Sequence, residues 1–423
     1  MSYPRFRFKG REVFYGWGIV AALFLVMFVF MGGFYSFGVF FNSLSLEFDS
    51  TATITSGIMS LSMILGGLFG WVMGGLTDRY GPRMVLALSS FLAGAGYLLM
   101  TRIDSIWQIY VLIGIVVGIA MSSAYVVPGA TIGKWFIKKR GLAMGITFAA
   151  IGIAQVVVPP LVAQLIELRD WRFAYLIMGL LVLVLGVSAS MFLRRTPEDV
   201  GLLPNGEVTK QRSSMEVTTL AGYTVAETLH TSAFWIFCAM WALMAMPVLL
   251  VAVHIVPYAT SMEIGSVAAA SILTVIGAAN ISGKFIFGYM VDRIGSRAAL
   301  CMTRVIQSAA LLLFVYARDL RLFYIAALLF GVSYSGGDII CLDMLAEVFG
   351  RKYLGIIIGV TSVTWRIGAA IGPIMGGLVY DVTGSYSSAF LAAAIGIATC
   401  IGLAFVFFAQ KPRLYSSRAA PLE

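Results

Sequence analysis

Apolar runs longer than 18 residues recur along this chain from end to end. A helix needs roughly 20 such residues to cross the hydrocarbon core of a bilayer. Only 12% of the 423 residues are charged and 60% are hydrophobic. A soluble domain carries about twice that charged fraction. The pattern therefore excludes a soluble enzyme, a nucleic-acid binder and a disulfide scaffold as starting classes. The first run, Phe14 to Phe41, follows a basic start at Arg5, Arg7, Lys9 and Arg11. It is too long for a signal-peptide core and ends in no small-residue cleavage site, so it reads as a retained helix.

The runs place spans at 14–42, 54–76, 83–102, 106–130, 140–165 and 170–193, then at 231–260, 267–291, 298–317, 321–349, 355–380 and 386–409. Twelve spans make an all-α integral membrane protein. Of the 29 Lys and Arg residues, 21 fall on the side of the N-terminus, five on the other side (Arg102, Arg169, Arg172, Arg318, Arg321) and three inside spans. Basic residues collect in cytoplasmic loops. Both termini are therefore expected on the cytoplasmic side of a plasma membrane, here a bacterial inner membrane. The same bias accounts for the net charge of +9 without an acidic partner such as nucleic acid. The polar stretch 194–230, which begins RRTPEDVGLLPNG, reads as a cytoplasmic linker. The expected organisation is a six-helix half over 1–193, the linker, a second half over 231–410, and a cytoplasmic tail over 411–423.

The two halves repeat each other. Gly74, Asp78, Arg79, Gly81 and Arg83 fit G-x3-D-R-x-G-x-R, as do Gly288, Asp292, Arg293, Gly295 and Arg297, 214 residues later. The same offset maps Gly141, Gly145 and Pro159 onto Gly355, Gly359 and Pro373. In this motif glycines let helix ends approach. The aspartate, at a helix terminus, suits a cationic partner or a helix dipole. Asp78, Arg79, Arg83, Asp292, Arg293 and Arg297 are thus candidate gating residues, against the simpler role of setting topology.

The motif resembles the loop signature of the major facilitator superfamily, and the resemblance covers the whole chain. Phe14-Tyr15-Gly16-Trp17, TPEDVGLLP, His254-Ile255-Val256-Pro257-Tyr258, Phe349-Gly350-Arg351 and Tyr380-Asp381-x-Thr383-Gly384 are similar to a narrower branch. That branch is the bacterial monocarboxylate-transporter-like and oxalate/formate-antiporter-like families. The resemblance implies two pseudo-symmetric six-helix halves that carry small organic anions by alternating access.

Ionisable side chains at mid-membrane depth are expensive and functional by default. At 1.5 Å per residue, Lys284 lies about 12 Å from the cytoplasmic end of its helix, Asp338 about 20 Å and Arg366 about 21 Å. All three are in the second half. The resemblance implies that the residue at position 284 engages a substrate carboxylate. The family has arginine there, and its animal members have an aspartate where this chain has Asn280. Lys284 shares a helical face with Asn280 and Gly277. Lys284 and Arg366 are expected either to bind the anion or to pair with Asp338. Asp338 is either a proton carrier or a counter-ion, and lies one turn from Tyr334. Lysine shifts its pKa readily on burial, so Lys284 is a second candidate for proton coupling.

In the first half, Tyr35, Tyr125 and Gln155 are the polar candidates at this depth, with Tyr125 either a carboxylate donor or packing. His254 is a gate residue or a hydrogen-bonded structural histidine. Asp343 and Glu347 suit gate salt bridges. Arg304 is placed near the inner end of its helix, with its head group reaching the interface. Gly66-Gly70-Gly74 and Gly368-Gly372-Gly376 are expected as close-packing faces.

Cys238, Cys301, Cys341 and Cys400 form no CxxC, and the two histidines have no metal-ligand spacing. No metal or cofactor is expected, and no nucleophile–base pair suggests an enzyme. The expected partners are a small organic anion, protons and the lipid bilayer, with a monomer as the working unit. Proton symport of a monocarboxylate such as lactate or pyruvate is the first expectation. Exchange of carboxylates or dicarboxylates is the alternative, because two cations suit two carboxylates.

Overall fold

The structure is a computed structural model that describes residues 6–8, 11–136, 139–202, 223–350 and 354–410. Among the described residues the regular structure is helical apart from a short antiparallel hairpin, in which Phe6–Phe8 pairs with Arg11–Val13. Ten stretches are each long and apolar enough to cross a membrane. They are helix 1 (Tyr15–Glu47), helix 3 (Pro82–Arg102), helix 4 (Ile106–Trp135), helix 5 (Leu142–Leu168), helix 6 (Trp171–Met191), helix 7 (Ser232–Thr260), helix 8 (Ser266–Val291), helix 9 (Arg293–Tyr316), helix 11 (Ile357–Thr383) and helix 12 (Ser387–Ala409). Helix 2 is a pair, Ala52–Leu68 and Gly70–Tyr80, bent by 47°. Helix 10 comes in two pieces, Leu320–Ser335 and Gly337–Phe349. With these two, the expected twelve spans are present.

The repeat read from the motif extends to the helix ends. Helices 2 and 8 begin at Ala52 and Ser266. Helices 4 and 10 have their N-caps at Ser105 and Asp319. Their second pieces begin at Ser123 and Gly337. Helical structure resumes at Arg140 and Leu354. Each pair is 214 residues apart. The caps differ in chemistry but do one job. Ser105 and Gln108 form a reciprocal capping box, whereas the Asp319 carboxylate accepts from the Leu322 amide at 2.9 Å. Each satisfies amides that a helix start leaves without a partner.

The matching breaks in helices 4 and 10 have a local cause. Ser122 and Ser123 donate to the carbonyls of Ile119 and Ala120. Ser333 and Ser335 donate to Phe330 and Val332. Such side-chain bonds compete with the helical ladder and bend it.

The chain forms two compact units, one of residues 1–50 and 61–213, the other of 51–60 and 214–423. In the first, Phe40 stacks on Tyr175 at 3.9 Å, with Tyr97 and Trp171 packed around it. The ends of helices 1 and 6 are joined there by an Arg172–Glu47 ion pair at 2.6 Å, and Trp171 donates to the same carboxylate. In the second unit the corresponding place is held without charge. The Tyr258 hydroxyl lies 3.1 Å from the Phe314 carbonyl and 3.2 Å from the Ser387 hydroxyl.

The glycine rows behave differently from one another. A methyl added at Gly368 would overlap the Ala242 carbonyl, and one at Gly372 the Met246 carbonyl. One at Gly376 would overlap the His254 ring. Helix 11 therefore lies backbone to backbone on helix 7, as small-xxx-small faces allow. In the first unit, Gly70 and Gly74 would meet only Val126, at 3.8 and 3.5 Å, which is ordinary contact. The expectation of a close-packing face fails at these two glycines, because a branched side chain rather than a backbone faces them.

Candidate functional site

The second unit carries the expected cations on two tightly docked helix pairs. Lys284, half-buried on helix 8, follows Gly283. A methyl at Gly283 would overlap the Ser335 hydroxyl and the Val332 carbonyl of helix 10. One turn on, Phe287 covers Gly336, with its Cβ 2.6 Å from where a methyl would sit. The stretch bearing Lys284 is thereby pressed against the stretch bearing Tyr334. Asn280 is buried at 5% exposure. Tyr334 is half-buried, its ring 5.5 Å from Phe330. Arg366, also half-buried, lies two residues before Gly368 and so shares the docking of helix 11 on helix 7. Close backbone contact beside each cation fixes where its side chain starts, as a binding group requires. The Asp338 side chain, and hence its pairing with Lys284 or Arg366, lies outside the described residues.

In the first unit, Tyr35 and Gln155 are buried. Tyr125 is 41% exposed, stacked on Phe148 at 6.2 Å, with its hydroxyl 3.6 Å from the Met31 sulfur.

The two motif loops share one backbone conformation. Gly81 has φ 83 and ψ 162, and Gly295 has φ 77 and ψ 161. This region of φ and ψ is nearly closed to residues with a Cβ. Asp78 pairs with Lys134 of helix 4 at 2.8 Å. Arg79 lies over the Tyr80 ring, and Arg83 approaches the Met191 sulfur at 3.3 Å. In the second loop, Arg293 lies over Tyr289 and Arg297 over Phe405. The Ser296 hydroxyl there reaches Asp343 at 2.5 Å and Glu347 at 3.0 Å. The Asp292 side chain lies outside the described residues. His254 is fully buried, its Nε2 2.8 Å from the Pro373 carbonyl and its ring 4.9 Å from that of Tyr386.

Arg304 departs from expectation. It is 1% exposed and does not reach an interface. Its guanidinium donates to the Gln307 side-chain oxygen at 2.6 Å and to the Ser333 carbonyl at 3.3 Å. Helix 9 is regular from Ser296, after the break at Gly295, so Arg304 lies about 12 Å along it. Nη2 is 3.5 Å from where a methyl on Gly337 would sit, beside the break of helix 10. The second unit thus contains a buried midplane cation that the sequence reading put at a helix end.

The profile of the Major Facilitator Superfamily matches residues 23–314 and 237–421. The chain belongs to the major facilitator superfamily. Among its relatives in that superfamily, monocarboxylate transporter 13 of Rattus norvegicus is 25% identical over 383 residues, covering 90% of this chain and 86% of the relative. The uncharacterized MFS-type transporter YhjX of Escherichia coli is 25% identical, covering 80% of this chain and 82% of its own. Two solved facilitator structures share the fold. A bacterial homolog of the human lysosomal transporter Spinster aligns with TM-score 0.72 at 12% identity, over 95% of this chain and 97% of that one. A mutant of the nucleoside transporter NupG aligns with TM-score 0.73 at 13% identity, over 94% and 99%. This facilitator is therefore a multi-pass membrane transport protein, with relatives named monocarboxylate transporters along most of its length.

Proposed function

We propose that this facilitator is a secondary active transporter of small organic carboxylates that works by alternating access, and that its reaction is proton-coupled monocarboxylate symport. The observation that carries the reading is the pair of half-buried cations, Lys284 and Arg366, each on a helix docked through an adjacent glycine. Buried basic groups at this depth suit an anion, and the relatives named monocarboxylate transporters favour a carboxylate. In this reading Asn280, Tyr334 and Tyr125 complete the anion's contacts. Lys284 and Asp338 exchange the coupled proton, and the motif loops with Glu347 and His254 gate access. Both termini and residues 194–230 face the cytoplasm of a bacterial cell, between a first half of 1–193 and a second of 231–410, and one chain is the working unit.

An anion and a proton that enter one site offset each other's charge. Substrate and proton then bind with positive, reciprocal coupling. The test is uptake of radiolabelled carboxylates by proteoliposomes. An inward proton gradient should drive accumulation of a monocarboxylate. Lys284→Gln should abolish it, and Lys284→Arg should keep counterflow without accumulation. Counterflow that ignores a proton gradient in the wild type would make the protein an exchanger. Normal binding and transport by Lys284→Gln would place the site elsewhere.

A further inference from the structure

Helix 2 belongs by sequence to the first repeat, yet its first residues, 51–60, belong by their contacts to the second unit. Three contacts, spaced about a turn apart, hold them on helix 11. The Asp381 carboxylate accepts from the first amides of the helix, Ala52 N–H on Oδ1 and Thr53 N–H on Oδ2, both at 2.8 Å. A turn further in, Gly377 leaves room for Ser56 and the Ala52 carbonyl, which lie 2.5 and 2.6 Å from where its methyl would be. Deeper still, the Ser60 hydroxyl donates to the Ala370 carbonyl at 2.6 Å. The other arm of helix 2 is anchored in the first unit. Ser62 lies against Gly118, and Asp78 is paired with Lys134. The 47° bend, at Phe69, falls within that arm, between Ser62 and Asp78.

The Asp381 contact differs in kind from the packing around it. A carboxylate that spans two amides at a helix N-terminus makes two charge-assisted hydrogen bonds and meets the positive end of the helix dipole. The acceptor for both amides is a single side chain, Asp381. It lies at the extreme end of the span, where water can take over all four bonding groups when it opens. It is strong enough to hold a state and is also reversible.

On the transport reading above, we infer that Asp381 is the outer latch of helix 2. It holds residues 51–60 in the second unit in one conformer, and their release is a step of the transport cycle. Tyr380-Asp381-x-Thr383-Gly384 then has a physical meaning. Tyr380 stacks on Tyr386 at 4.4 Å, and Gly384 at φ 68 ends the helix immediately after the latch.

Thiol reactivity tests this without any substrate, so its outcome is independent of which solute is carried. On a cysteine-free background in detergent, Ser60→Cys reports release of the outer arm and Ser362→Cys reports access to helix 11 from its other end. Ser60 is 1% exposed and Ser362 is exposed in the latched state. Asp381→Asn leaves one acceptor where two are needed. It should raise the labelling rate at position 60 about tenfold, the factor for one charge-assisted hydrogen bond, and lower the rate at 362. Asp381→Glu keeps the carboxylate and should restore part of the difference. Opposite changes at the two positions are the signature of a shifted two-state equilibrium. If both rates rise together, Asp381 is a static cap whose loss loosens the fold. If neither changes, the contact carries no switching energy. Either result overturns the inference.

Discussion

The two copies of G-x3-D-R-x-G-x-R have the same backbone turn and different side-chain partners. Gly81 and Gly295 agree within a few degrees in φ and ψ. Around the first, a cation on helix 4, Lys134, holds Asp78. The repeat puts Val348 in the place of Lys134. Around the second, two acids on helix 10, Asp343 and Glu347, receive the Ser296 hydroxyl. Their counterparts in the first copy are Gly129, Gly133 and Pro82. The two copies share the backbone turn, whose positive φ tolerates little but glycine, and differ in the contacts around it. The glycine rows diverge in the same way, one touching a neighbouring backbone and the other a valine side chain.

The largest expected effect contrasts these rows. Gly372→Leu drives a side chain into the Met246 carbonyl and should cost more than about 3 kcal/mol, the upper range for overpacking. Gly74→Leu in the first unit should cost under about 1 kcal/mol. Thermal unfolding and gel filtration in detergent read both, and equal losses would erase the distinction. Next, Gly81→Ala and Gly295→Ala should each lose about 1–3 kcal/mol through backbone strain. A loss at only one of them would break the equivalence of the two turns. The smallest effect separates the partners. Lys134→Met removes a largely exposed ion pair worth at most about 1 kcal/mol, and moderate salt should hide the difference from wild type. Ser296→Ala loses a hydrogen bond to a carboxylate, and salt should not mask that loss.

The spans, the repeat and the superfamily were legible because each is written locally. Apolar length, turn glycines and capping residues act over a few neighbours, and the 214-residue offset repeats them. What escaped depends on partners brought in by packing. Asp381 and Ala52 are 329 residues apart, and nothing near an aspartate at a helix end announces which amides it will cap. Arg304 was sent to the interface because its buried acceptors, the Gln307 side chain and the Ser333 carbonyl on helix 10, are set by packing. The candidate cations were found because a charge in an apolar run is conspicuous. Gly368, which seats Arg366, was part of an expected close-packing row, whereas Gly283, beside Lys284, became meaningful only once the facing Val332 carbonyl was known.

The seating of Arg366 bears on how a carrier of this kind changes its diet. Helix 11 rests on helix 7 through positions where even a methyl is excluded, so the axis beside Arg366 cannot drift as mutations accumulate. Selection is left with the identity of the side chain at a fixed address. On the proposed reading of the site, lineages that turn to new solutes are expected to differ in which residue occupies 284 or 366, more than in the length or tilt of the helices that present them.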